Sequence, residues 1–224
     1  MCFKTPTALP DWSMARRHLR GADPVLARTI DAVGPCLLRP RRDYFVALCQ
    51  SIFAQQISTA VATALFTRFA RLFPRRRPTP RLLLELEDAQ LAGVGASRAK
   101  CRYLRDLARH FASGAVRGGR FAAMGDPQII DALTDIHGVG RWTAEMFLIF
   151  ALNRPDVLPV DDFGLRKAVQ LAYGRRHLPT PKAVEALARP WRPWRTVATW
   201  YLWRSTAPAV KCQESMTGGS GGPT

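Results

Sequence analysis

The chain has 224 residues, with 33 Lys and Arg against 17 Asp and Glu, a formal charge of +16 and an isoelectric point near 10.9. At 47% hydrophobic it can bury a core, which excludes a disordered chain, and so one-sided a charge points to a polyanionic partner bound with strong salt dependence. The five cysteines, Cys2, Cys36, Cys49, Cys101 and Cys212, are scattered without a CxxC pair, which argues against disulfides, zinc and an iron–sulfur cluster. The first twenty residues carry no apolar run of signal-peptide length and no later stretch approaches a membrane span, so a reducing interior such as the cytoplasm, at the nucleoid, is expected.

Ala, Leu and Arg recur at helical spacing and alternating β-branched runs are absent, which predicts an all-α fold. Residues 43–72, DYFVALCQSIFAQQISTAVATALFTRFARL, predict one or two long helices stopped by PRRRPTP at 74–80, a surface connector. Helical patterns follow in PRLLLELEDAQLAGVG and in SRAKCRYLRDLARHFASG, where Leu104, Leu107, Ala108 and Phe111 share one face and Gly114 ends the helix. DPQIIDALTDI at 126–136 predicts another helix, with Asp126 as its cap and Pro127 at its first position. GVG at 138–140 then joins it to WTAEMFLIFAL in a tight helical hairpin. A loop, NRPDVLPV, leads to DDFGLRKAVQLAYG and a last helical region, PKAVEALARPWRPWRTVATWYLWRS. Residues 214–224, ending GGSGGPT, are expected to be disordered. A second GVG, at 93–95, is too short a match to establish a repeat.

The hairpin LTDIHGVGRWTAEMF carries the first chemistry. Leu133 and Ile136 are expected to pack inward, while Gly138 and Gly140 allow positive φ and close approach of a foreign backbone. The amides opening the next helix then face outward, where the helix dipole favours an anion. That is a phosphate cradle. A plain helix–helix turn needs glycine too, but the spacing and the +16 charge favour the cradle.

LTDIHGVGRWTAEMF resembles the helix-hairpin-helix signature of DNA glycosylases, and DVLPVDDFGLRKA resembles the Gly/Pro-rich loop and catalytic aspartate that complete that motif. GVGRWTA, VDDFGL and RPWRTVATWYLW are similar to the alkylation-repair branch, the 3-methyladenine DNA glycosylase II family. The resemblance runs from about Tyr44 to Arg204 and lacks the N-terminal β-rich domain of longer members, so a compact version is expected. It implies one unit over 1–224, with two helical subdomains flanking a cleft: about 44–152, including the hairpin at 133–143, and 1–43 plus 153–208.

Breaking a base–sugar bond leaves positive charge on the sugar, so a fixed carboxylate beside it stabilises the transition state. Asp161 and Asp162 are the candidates. An Asp pair before FGLRKAVQL also has the form of an N-cap, so one carboxylate is expected to cap and the other to face the cleft. The resemblance assigns catalysis to Asp162 and leaves Asp161 as the alternative. Relatives that also nick DNA carry a Schiff-base lysine after GVGR. Here that position is Trp142, which implies a monofunctional enzyme with water as nucleophile.

Cationic alkylated purines, such as 3-methyladenine and 7-methylguanine, attract an indole face by about 1–2 kcal/mol each. Trp142 and Trp203 are the expected base-binding residues, with Trp200 as a packing neighbour and Met146 where relatives can carry an aromatic. FAQQIS resembles the segment that fills the gap left by an extruded base, with Gln56 at the intercalating position. Backbone contacts are expected from Gly138, Val139, Gly140, Arg141 and Thr143, and Lys167 and Arg195 are further phosphate candidates. No cofactor is expected, although relatives imply a monovalent cation on hairpin carbonyls near Ile136 and Val139. The expected partner is duplex DNA with alkylated bases, bound by a monomer that needs neither a protein partner nor a membrane. A non-catalytic DNA-binding module and a glycosylase for oxidised or mismatched bases are the alternatives.

Overall fold

The computed structural model describes residues 11–206. The tail expected to be disordered lies outside them, as do Cys2 and Cys212. Among the described residues there are helices and no strand, and no helix is long and apolar enough to cross a membrane.

Helices α1 (Ser13–Ala22) and α2 (Pro24–Val33) open the chain, followed by α3 (Tyr44–Ala54) and α4 (Thr59–Arg71). The stretch 43–72 is thus two helices, parted at Gln55–Ser58 because Gln56 turns left-handed at φ 60° and Ser58 caps α4. The arginine-rich connector holds a 3-10 turn at Pro74–Arg76 with exposed arginines, and Pro80 begins α5 (Pro80–Glu85). Next come α6 (Asp88–Gly93) and α7 (Arg98–Ala112), which buries Leu104, Leu107 and Ala108 and is followed by Gly114 at φ 77°. In α8 (Asp126–Thr134) the N-cap is Gly125, not Asp126: Gln128 reaches back to the Gly125 N–H, leaving Asp126 and Pro127 inside the first turn. The hairpin leads into α9 (Arg141–Phe150), and α10 (Phe163–Ala172) follows the Pro-rich loop. The last helical region is broken into α11 (Pro181–Leu187), a 3-10 turn at Arg189–Trp191 and α12 (Arg195–Thr206), since Pro190 and Pro193 supply no N–H for a continuous ladder.

These helices pack in two groups. Helix α3 is central to the first, against α4, α7 and α9, with α5 and α6 on α7 and α8 on α9; α12 anchors the second, against α1, α2 and α10, with α11 on α10. One apolar core runs through both, from Phe53, Phe69 and Phe121 to Trp191 and Tyr201. The loop between α9 and α10 is clamped to the start of α12: Thr196 Oγ1 accepts the Val157 N–H at 2.9 Å and donates to the Arg154 carbonyl, while Arg195 forks onto Asp156 at 2.6 and 2.9 Å. That clamp sets where α10 begins.

The second group is knotted at Asp23. Its carboxylate caps α2 through the Val25 and Leu26 N–H groups, and it accepts the Tyr173 hydroxyl at 2.5 Å and the Trp191 indole N–H at 2.9 Å. Burial, then that hydrogen bond, pushes the Tyr173 phenol up well beyond its ordinary range. Asp23→Ala removes the cap and leaves two donors facing a cavity. Urea denaturation should show a loss of about 2–4 kcal/mol, since each unsatisfied buried partner costs about 1–3 kcal/mol.

Candidate active site at the hairpin and the start of α10

The hairpin turn is built around Gly138, at φ 86°. A Cβ there would stand 2.2 to 2.5 Å from the Tyr103 ring, so both conformation and packing demand glycine. Gly140 differs from the sequence expectation: its φ is −87°, an ordinary value, and a Cβ would meet nothing within 4 Å. Its smallness leaves open space in front of the start of α9. No side chain caps that helix, and the first hydrogen bond to its cap is Ala144 N–H to the Gly140 carbonyl, so its leading amides face outward. Leu133, Ile136 and Val139 are buried beneath the turn, and Asp106 fixes it by accepting the His137 N–H at 2.8 Å.

Helix α9 then lifts Trp142 to the surface with 44% of its area exposed. Its indole N–H donates to Asp162 Oδ2 at 2.8 Å. From α12 the Trp203 N–H donates to Asp162 Oδ1 at 2.9 Å, and that oxygen also accepts the Leu165 N–H at 2.6 Å. The division of labour expected of the Asp pair is therefore corrected. Asp162 alone caps α10 and faces both indoles, because one carboxylate has lone pairs enough for all three donors, while Asp161 is exposed. Gly164 makes room for the arrangement, since a Cβ there would lie 3.1 Å from Asp162 Oδ1 and 3.4 Å from Trp203 Nε1.

Trp203 stacks on Phe150 with centroids 5.7 Å apart and planes 19° from parallel. Trp200, one turn earlier on α12, is buried with its ring edge-on to Tyr201 and Arg204 over its face. Phe150 was missed in the sequence, where it reads as one more apolar residue of FLIFAL. Met146 is half-buried and lines, with Phe150, Arg41 and Ser51, a cavity of about 90 Å³. Phe163, 66% exposed, follows Asp162 directly and is a second aromatic missed.

Other expected contacts sort by geometry. Arg141 is exposed, with Nε held at 3.0 Å by the buried Glu145. Burial pushes the Glu145 carboxyl up and Arg141 pulls it back. Thr143 is buried in the first turn of α9. Arg195 is occupied by Asp156, which leaves it a structural ion pair, and Lys167 donates to Gln170 on the surface of α10. The Ile136 carbonyl accepts the Val139 N–H and the Gly138 carbonyl accepts Gln55 Nε2. Gln56 is exposed at its left-handed turn. Gln55 and Lys100, which hold that turn, drew no notice in the sequence.

The model of the HhH-GPD superfamily of base excision DNA repair proteins matches residues 49–193. The chain is 32% identical to DNA-3-methyladenine glycosylase 1 of Schizosaccharomyces pombe over 86% of each sequence. It is 29% identical to the alkylbase DNA glycosidase-like protein mag2 of the same yeast, over 87% of this chain and 93% of that one. The solved structure of S. pombe Mag1 with abasic DNA superposes at a TM-score of 0.79 with 32% identity, covering 88% of this chain and 98% of that one. A DNA-3-methyladenine glycosidase from Bacillus halodurans gives 0.78 and 32%, covering 88% and 91%. The conjunction of glycine hairpin, Pro-rich loop and buttressed aspartate therefore has its family: the chain belongs to the HhH-GPD superfamily of base excision DNA repair proteins, in its alkylation-repair branch.

Proposed function

We propose that the protein is a monofunctional DNA glycosylase that hydrolyses the N-glycosidic bond of alkylated purines, of the 3-methyladenine and 7-methylguanine type, in duplex DNA. The observation that carries this reading is the Asp162 carboxylate, held by two indole N–H groups and a helix amide beside a glycine hairpin with open amides. The relatives named for 3-methyladenine support the substrate class, and the yeast protein's complex with abasic DNA supports DNA as the partner.

In this scheme the hairpin holds a phosphate against the start of α9, and the damaged nucleotide is extruded toward the seam where α9 meets α10 and α12. The C1′–N bond breaks with its electron pair passing to the base, which neutralises the positive charge that alkylation placed there. Such a base leaves without a general acid. The sugar cation forms beside Asp162, whose fixed negative charge lowers its energy without reorganisation. Water adds its oxygen to C1′ and releases a proton to solvent, leaving an abasic site. The exposed faces of Trp142 and Phe163 and the stacked pair Trp203 and Phe150 offer π surfaces to a cationic purine. An indole nitrogen cannot form a Schiff base, so strand cleavage is absent from the scheme. The enzyme works as a monomer in a reducing compartment that holds DNA.

Asp162→Asn removes the charge and one indole acceptor but keeps the helix cap, because asparagine caps a helix as well as aspartate does. With methylated duplex DNA and mass detection of free bases, release should fall on the order of a hundredfold or more while binding to the damaged duplex persists. Unchanged release would remove Asp162 from its role, and normal binding with no release by the unsubstituted protein would favour a non-catalytic module.

The lyase question has its own assay. Borohydride added during turnover should trap no covalent protein–DNA adduct, and a gel run without alkali should show intact strands. Either product would contradict the monofunctional reading.

Gly140→Ala tests the cradle. Its Cβ meets no protein atom, so stability should change by under about 1 kcal/mol, while affinity for duplex DNA should fall about tenfold if a phosphate approaches there. Fluorescence anisotropy at constant salt reads the affinity.

A further inference from the structure

Between α3 and α4 the chain does something costly. Gln56 adopts a left-handed backbone, which costs a residue other than glycine about 1–3 kcal/mol and persists only where the surroundings enforce it. The turn is exposed, and the apolar Ile57 and Val61 beside it are 36% and 49% exposed. Nothing in helix packing asks for this, since a glycine would relax the turn without loss of core.

Two side chains enforce the conformation from outside. Lys100, near the start of α7, donates from Nζ to the Phe53 carbonyl at 2.7 Å and to the Gln55 carbonyl at 3.1 Å. Both acceptors are oxygens that the end of α3 leaves without helical partners. Burial lowers the Lys100 ammonium from its ordinary value. Gln55 Nε2 donates to the Gly138 carbonyl at 2.8 Å, across 83 positions of sequence. Gly138 is the left-handed residue of the hairpin. The exposed turn is thereby braced on one side by a cation and coupled on the other to the hairpin backbone.

We propose that Gln55 and Lys100 are positioning residues for base extrusion, holding the Gln56 turn in fixed register with the hairpin so that it fills the stack where the damaged nucleotide leaves. The assignment rests on the glycosylase reading above. A side chain pressed into a base stack is pushed back by the neighbouring bases, and it stays inserted only if anchored to something that does not move. The hairpin, gripping the same strand, is that anchor, and Gln55 is the link between them.

Extrusion costs least where the base is already unpaired, which separates positioning from chemistry. Single-turnover release of 7-methylguanine is measured from two duplexes, one with cytosine opposite the lesion and one with a tetrahydrofuran abasic analogue opposite. Loss of one hydrogen bond in Gln55→Leu and of two in Lys100→Met predicts that each slows release from the cytosine duplex on the order of tenfold or more. Opposite the abasic analogue each deficit should shrink severalfold, and Lys100→Arg, which keeps the cation, should recover most of the rate with cytosine. The two variants act from different helices, so misfolding of one, seen in its melting curve, leaves the other to decide. Equal deficits on both duplexes, or none on either, would overturn the proposal. If the unsubstituted protein released no base from either duplex, the glycosylase reading would fail and this proposal with it.

Discussion

The structure turns on one carboxylate that satisfies three N–H donors from three places. The Leu165 amide fixes Asp162 to the first turn of its own helix, Trp203 fixes it to α12, and Trp142 fixes it to α9 across the seam between the two helix groups. Hydrogen bonds to a charged acceptor are roughly twice as strong as neutral ones, so the site is also a joint in the fold. A carboxylate this constrained cannot turn away to find water. It presents negative charge in one direction, and a charge that need not reorganise suits a reaction that creates a cation.

The same joint explains why the hairpin and the Pro-rich loop belong together. Helix α9 begins where the glycine turn ends, so the amides open to an anion and the indole that holds Asp162 lie within one helical turn of each other. Asp156 and Thr196 clamp the Pro-rich loop to α12, which places the start of α10 relative to Trp203. Each element that could misplace the carboxylate is tied to the one that would hold the DNA. The positive surplus of the chain is largely outside this network. Arg195, Arg105 and Arg154 are bound to Asp156, Asp88 and Asp126, which leaves the exposed arginines to supply general attraction to a polyanion.

Much of this was legible in the sequence, for a physical reason: local chemistry repeats locally. Helical spacing, Pro and Gly punctuation and the GVG turn announced the helices and the hairpin, and VDDFGL announced the carboxylate. What failed were statements about register and about distant partners. Asp126 looked like a cap, yet Gln128 back-bonding made Gly125 the cap, a one-residue shift that local pattern does not resolve. The Asp pair looked like two groups with two tasks because sequence alone does not show one carboxylate accepting from three elements. Phe150 and Gln55 were invisible for a different reason. Their partners, Trp203 and Gly138, lie 53 and 83 positions away, and apolar and amide side chains carry no signal of whom they will meet.

Trp142 is the place where these threads join. A lysine there would bring a nucleophile to the sugar and a positive charge next to Asp162, drawing the carboxylate into an ion pair. An indole supplies a hydrogen bond to the same oxygen with no net charge, so the field of the aspartate remains available to the sugar cation. It also leaves a polarisable face toward solvent, where a cationic base is attracted and an ammonium would repel it. Tryptophan at this position thus leaves the carboxylate its full charge and adds a polarisable face, two properties that suit a pocket for positively charged bases.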